Sequence, residues 1–449
     1  MDSHADDARA LTAAEQGRQI AAGRLDPVAL TEAYLAAIEA HPAGGLVYAR
    51  TTRARALAEA AAARERARAG STLGPLDGVP VSWKDLVDTA GTATEAGTRL
   101  LANRVPERDA AVLVHAGGAG SVCLGKTHLS EVAFSGLGVN PMAATPPNRH
   151  DPRLAPGGSS SGAAASLAFG LAPLAIGSDT GGSVRIPAAW NDLVGLKTTY
   201  GLVSNTGTVA LSPGLDTIGP LARTVEDAAL GLGLLTGQPA PALGDVAATD
   251  LRLYVAEDVV MAGLEDGIGQ AFEHALSRLA DAGARIARGP VPAFAKADET
   301  ARRLSFIVNA EAWRVWGPAL EAQPHTVYPP IETRIRSGEK IGDKALEEAR
   351  TAFAALREEA TAFIAEHGLL VMPTAPILPP PVARLLGDEA YYTDRNLMAL
   401  RNTRMANLLG LSALTLPTGT PMAGLMLVAA PFAEAELIAK GRAAEKALG

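Results

Sequence analysis

Three stretches of this chain carry residues whose types and spacing could do chemistry. GSVCLGKT at 120–127 satisfies G-x-x-x-x-G-K-[ST], the pattern of a loop that cradles phosphates with backbone N–H groups and a lysine. Such a loop needs a strand before its first glycine and a flexible turn between the glycines, whereas Val122, Cys123 and Leu124 read as the strand itself. The plainer reading is a buried strand followed by a lysine-bearing turn, with a nucleotide-binding protein kept as the alternative of another class. Gly158-Ser159-Ser160-Ser161-Gly162 matches G-x-S-x-G centred on Ser160. A nucleophile elbow requires a strand immediately before it, but NRHDPRLAPGG at 148–158 reads as a loop. Only His274, His325 and His367 follow at any distance as candidate bases.

The third set contains the second. It comprises Lys84 in PVSWKDLVDTAG, Ser159 in APGGSSSGAAAS and Ser183 in GSDTGGSVRIPAAW, at intervals of 75 and 24 residues. These motifs resemble the signature of the amidase signature family of amide hydrolases. The resemblance runs over most of 73–227, through LGKTHLSEVAFSGLGVNP, GLKTTYGLVS and LDTIGPLARTVEDAA, and resumes more weakly at LLGLSALTLPTGTP and AGLMLV. It implies an α/β fold, a large mixed β-sheet covered by helices on both faces. It also implies a serine amidohydrolase that cleaves a linear carboxamide C–N bond through an acyl-enzyme, with no cofactor and no metal.

The roles follow from the same resemblance and have a chemical rationale. A serine hydroxyl needs a base to take its proton, and a lysine can serve once desolvation lowers its pKa. Lys84 follows an apolar run and would be that base; the bland alternative is a solvated lysine paired with Asp85. Ser183 would form the acyl-enzyme, because Thr180, Gly181, Gly182 and Ser183 supply closely spaced backbone N–H groups for an oxyanion. Ser159 would relay the proton between Ser183 and Lys84, and Ser160 follows it through the unusual cis peptide bond that the family places here. The plainer account of 159–161 is a helix N-cap. Asp179 and Arg185 would support the nucleophile loop, although a surface ion pair would look the same in sequence. Cys123 reads as a small buried hydrophobe.

Some positions depart from the family. In the tRNA-dependent amidotransferases, the A-type component usually carries Gln between the Arg after the nucleophile and the next Pro; here it is Ile186. That favours a stand-alone hydrolase over an ammonia-generating A-type component, which remains the alternative within the family. Trp190-Asn191-Asp192 stands where many members read Phe or Leu followed by Cys-Gly, and Ser161 replaces a common Gly.

Composition narrows the field. Apolar residues make up 48% of 449 and charged residues 20%, an ordinary globular balance. A formal charge of −8 repels phosphate backbones, so nucleic acid is not the expected partner; a small-molecule amide is, and a homodimer is left open. One cysteine excludes an intrachain disulfide, and no H-x-E or H-x-x-x-H pair points to zinc. The start lacks a basic and apolar leader, and no apolar stretch approaches the ~20 residues a bilayer needs, which reads as cytoplasmic.

Elements must bring these residues together. Asp26 and Pro27 open a helix at N-cap and N1, and 52–69 reads as a solvated Ala/Arg helix. Short β-rich runs at 79–83, 121–124, 174–176, 193–196, 251–255 and 369–372 alternate with helical patterns, including 264–283, 342–366 and 394–409. One domain over 1–449 is expected, with the signature core at about 73–227. The substrate pocket is expected from 134–139, 300–335 and 380–395, with Trp313, Trp316, Tyr391 and Tyr392 as aromatic candidates that could equally be core packing.

Overall fold

A computed structural model describes residues 7–304 and 307–449. Its centre is an eleven-stranded mixed sheet, ordered β1-β3-β2-β4-β6-β5-β10-β11-β9-β7-β8. The strands are β1 Tyr48–Thr51, β2 Pro80–Lys84, β3 Val122–Thr127, β4 Leu174–Asp179, β5 Val194–Lys197, β6 Thr217–Ala222, β7 Arg252–Ala256, β8 Arg285–Gly289, β9 Leu369–Pro373, β10 Ser412–Pro417 and β11 Gly424–Ala429. Parallel pairs β3/β2/β4 and β9/β7/β8 flank an antiparallel centre running β4, β6, β5, β10, β11 and β9.

Alternation along the strands explains why helices cover both faces. Leu369 and Val371 enter one hydrophobic cluster, and Leu370 and Met372 enter another. The same split separates Leu425 and Leu427 from Met426 and Val428 on β11. Successive side chains of a strand point to opposite faces, so strands apolar at every position must be buried on both sides.

Helices formed where the sequence patterns placed them. Asp26 caps Pro27–Ala40 by accepting from the Val28 N–H, and Arg53–Arg68, Asp266–Asp281, Asp343–His367 and Glu389–Leu408 fall on the expected windows. The Gly120–Thr127 motif is no phosphate loop: 122–127 are β3, buried throughout. Its Lys126 Nζ meets Thr94 Oγ1 at 2.8 Å and Asp85 Oδ1 at 3.2 Å instead of opening to a ligand. Cys123 is buried, and burial pushes its thiol up to about 11. Among the described residues, no helix is long and apolar enough to cross a membrane.

Candidate active site

Parallel pairing of β2 with β4 sets the site. The register Trp83↔Ile176 brings Lys84, the last residue of β2, beside the end of β4. There Lys84 Nζ meets Ser178 Oγ at 2.8 Å and, from the loop before helix Ser161–Ala168, Ser159 Oγ at 2.6 Å. Both partners are neutral hydroxyls, and Lys84 is wholly buried. Burial lowers its pKa from 10.5 to about 7, against the weaker opposing pull of Asp179 and Asp216. The bland reading of Lys84 fails on geometry: it is not solvated, and Asp85 pairs with Lys126 and Arg50.

The serine turn is tied through main chain to the turn that carries Ser183. Ser160 N–H donates to the Ser183 carbonyl at 3.1 Å, and the Ser160 hydroxyl donates to the Ser178 carbonyl at 3.2 Å. Among the described residues no hydrogen bond joins the Ser183 and Ser159 hydroxyls; Ser183 borders a cavity instead. The cis peptide bond lies at Gly158–Ser159, not at Ser159–Ser160 as the resemblance implied. It precedes the Lys84 partner, one peptide earlier in the chain.

Asp179 and Arg185 brace the loop from below. Both are fully buried, so they are not the surface pair that sequence left open. Asp179 accepts from Arg185 Nη2 at 2.9 Å, Arg185 Nε at 3.0 Å, Asn407 Nδ2 at 2.9 Å and the Val184 N–H at 3.1 Å. Burial would raise its pKa, but the Arg185 guanidinium beside it holds the carboxyl well below the usual range. Arg185 also donates to Asn407 Oδ1 at 2.6 Å and the Thr403 carbonyl at 2.9 Å.

Of the four N–H groups expected to receive an oxyanion, that of Gly182 is already donated to Asp179 Oδ1 at 2.7 Å. Thr180, Gly181 and Ser183 line the cavity. Gly182 has φ +139°, and a Cβ there would lie 2.1 Å from Thr403 Oγ1, so only glycine fits.

The cavity is small, with about 40 Å³ of water-accessible space, and opens toward solvent. Its walls include Phe134, Ser135, Ile307, Val308 and Arg334 from the expected windows. Of the aromatic candidates, Trp316 packs in the core and donates to the Ala210 carbonyl at 3.1 Å, while Tyr392 is buried behind Ser135 at 2.8 Å. Neither they nor Trp313 and Tyr391 line the cavity.

Sequence reasoning missed several contributors. Ser178 was inside the quoted GSDTGGS motif and Asp216 inside LDTIGP, where Asp216 Oδ1 accepts from Thr180 Oγ1 at 2.6 Å. Burial pushes the Asp216 carboxyl up to about 6. Leu400, Arg404, Asn407 and Leu408 reach the cavity from one face of Glu389–Leu408, and their i, i+4, i+7 spacing was the available signal. The departure at 190–192 is structural: Asn191 Nδ2 donates to the Pro156 and Pro187 carbonyls at 2.8 Å, and His150 Nε2 sits 2.7 Å from Asp192 Oδ2.

Known proteins share this architecture. The chain is similar to 2-amino-5-chloromuconic acid deaminase of Comamonas testosteroni, 37% identical over 88% of this chain and 87% of the relative. It is also similar to the A-type component of the glutamyl-tRNA(Gln) amidotransferase of Chloroflexus aurantiacus, 33% identical over 97% of this chain and 96% of the relative. A crystal structure of an amidase superimposes with a TM-score of 0.87 at 30% identity, covering 98% of this chain and 100% of that one. The amidase family model matches residues 29–438, and together with this fold and these relatives it places the chain in the amidase family.

Proposed function

We propose that the protein is a serine amidohydrolase that cleaves a linear carboxamide through an acyl-enzyme. The observation that carries this reading is the 2.6 Å contact between Lys84, buried with its pKa lowered to about 7, and Ser159 Oγ, beside a cavity bordered by Ser183. Ser183 Oγ attacks the amide carbon while its proton passes to Ser159 and the Ser159 proton to Lys84 Nζ. The carbonyl oxygen becomes an oxyanion facing the N–H groups of Thr180, Gly181 and Ser183. As the C–N bond breaks, Lys84 returns the proton through Ser159 to the leaving amine. Water then attacks the ester by the same route in reverse and restores Ser183. The reaction draws on no metal or cofactor.

Incubation with a fluorophosphonate followed by intact-mass spectrometry tests the assignment. An adduct on wild type that is absent in Ser183→Ala and slowed in Lys84→Ala is expected; an adduct that survives Ser183→Ala overturns it.

Likeness over nearly the full length to the A-type component of an amidotransferase supports a second reading, an ammonia-generating member of a larger complex. Ile186 in place of the usual Gln speaks against it. Glutamine hydrolysis that requires copurifying partner proteins and tRNA would establish it.

A further inference from the structure

One buried carboxylate joins two walls of the cavity, and the amide-hydrolysis steps give it no part. Strand β6 starts where β4 ends, in the register Asp179↔Thr217, and Thr217 Oγ1 donates to the Asp179 carbonyl at 2.7 Å. That pairing sets Asp216, one residue before β6, beside Thr180, one residue after β4. Asp216 Oδ1 accepts from Thr180 Oγ1 at 2.6 Å, while Oδ2 accepts from the N–H groups of Leu211 and Ser212 at 2.9 and 3.0 Å. Thr180 and Leu211 both line the cavity.

The turn that Asp216 closes is anchored from outside as well. Glu311, on helix Ile307–Ala322, accepts from Ser212 Oγ at 2.5 Å and from the Gly214 N–H at 2.8 Å, and Arg350 Nη2 donates to it at 2.6 Å. A chain of polar contacts therefore runs from Arg350 through Glu311 and the 211–216 turn to Thr180. Asp216 also carries charge toward Lys84. Asp179 and Asp216 both favour the protonated form of that lysine, but Arg185 already neutralises Asp179. The hydrogen-bond partners of Asp216 are a hydroxyl and main-chain N–H groups instead. Burial, and more weakly Glu311, push its carboxyl up to about 6, so it is ionised where Lys84 titrates.

We propose that Asp216 is a positioning residue: its carboxylate fixes Thr180, so that the turn carrying Ser183 and the Leu211 wall are held as one body, and its charge acts on Lys84. This rests on the amide-hydrolase reading, and the test separates the two. The readout is the rate at which a fluorophosphonate labels Ser183, followed by intact mass from pH 5 to 9. In that step Ser183 Oγ bonds to phosphorus, fluoride leaves, and the serine proton passes through Ser159 to Lys84. The rate therefore rises as Lys84 loses its proton and then levels.

Asp216→Asn replaces one acceptor oxygen by an NH2 that faces donors. Its plateau rate should fall about 10–100-fold, toward the value of a misplaced oxyanion donor. Its acid limb should move about 0.5–1 pH unit lower, because a negative charge near Lys84 is gone. Thr180→Val should slow labelling by a similar factor with a smaller shift of the limb, and Thr180→Ser should recover most of the rate. The double variant should label within about threefold of the slower single variant, since both changes break one contact. An acid limb that stays in place in Asp216→Asn overturns the proposal, and so does a double variant whose loss is the product of the single losses. If Asp216→Asn does not fold, Thr180→Val carries the test, and a plateau within about twofold of wild type overturns the proposal. Wild type that takes no adduct on Ser183 at any pH overturns the hydrolase reading beneath it.

Discussion

In the proposed mechanism Lys84 concentrates the chemistry of the site in one protonation equilibrium. Its folded pKa of about 7 makes it a usable base near neutrality, so kcat/KM for an amide should rise with pH through about 7 and then level. Lys84→Ala should lower kcat by about 10²–10⁴-fold, read by ammonia release. The same shift enters stability. Between about 7 and the ordinary 10.5 the unfolded chain binds more protons at this lysine than the folded one, so its contribution improves as pH rises across that window. Urea denaturation at both ends of the window should therefore show wild type gaining stability relative to Lys84→Met as pH increases. A difference that is flat with pH would show that Lys84 keeps its proton in the folded protein.

The turn between β4 and helix Arg185–Trp190 positions Ser183, the proposed nucleophile, and it is held by a carboxylate. Asp179 receives two backbone N–H groups of the turn, from Gly182 and Val184, while Arg185 and Asn407 hold its oxygens from the other side. Removing the cation leaves a buried negative charge, so Arg185→Ala should cost about 3–5 kcal/mol in urea denaturation. Arg185→Lys should recover little, because one ammonium cannot replace a fork that also reaches Thr403 and Asn407. Gly182→Ala forces a Cβ into Thr403 Oγ1 and should lower kcat by about 10²-fold or more, the scale of a misplaced oxyanion donor. Near-normal turnover in that variant would show that the turn can move without loss.

Across the molecule, one sheet buried on both faces sets which motifs can reach a ligand. The phosphate-loop match at 120–127 lies inside that sheet, where Lys126 neutralises Asp85 next to Arg50. ATP should leave the melting temperature of wild type unchanged. Lys126→Met should destabilise by about 3 kcal/mol, toward the lower end for a broken buried pair because Arg50 still faces Asp85. A melting temperature raised by ATP and no longer raised in Lys126→Met would reverse this view.

Local pattern was enough for many elements. The Asp26-Pro27 helix start and the apolar runs at 79–83, 174–176 and 369–372 needed nothing beyond capping and β-propensity. Strand β6 was not readable, because Gly219 and Pro220 argue against a central strand; pairing with β4 and β5 overrides them. Strand β8 hid for the opposite reason, an edge strand too exposed and charged to show an apolar run. The motifs carried the identities of Lys84, Ser159 and Ser183, since residue type and order are linear properties of a chain. Contacts between residues 75 and more apart are not. The Lys84–Ser159 hydrogen bond, the burial that lowers the lysine pKa and the reach of Asn407 to Asp179 all depend on sheet register and helix packing. Desolvation and hydrogen-bond geometry exist only once distant segments share one dry site.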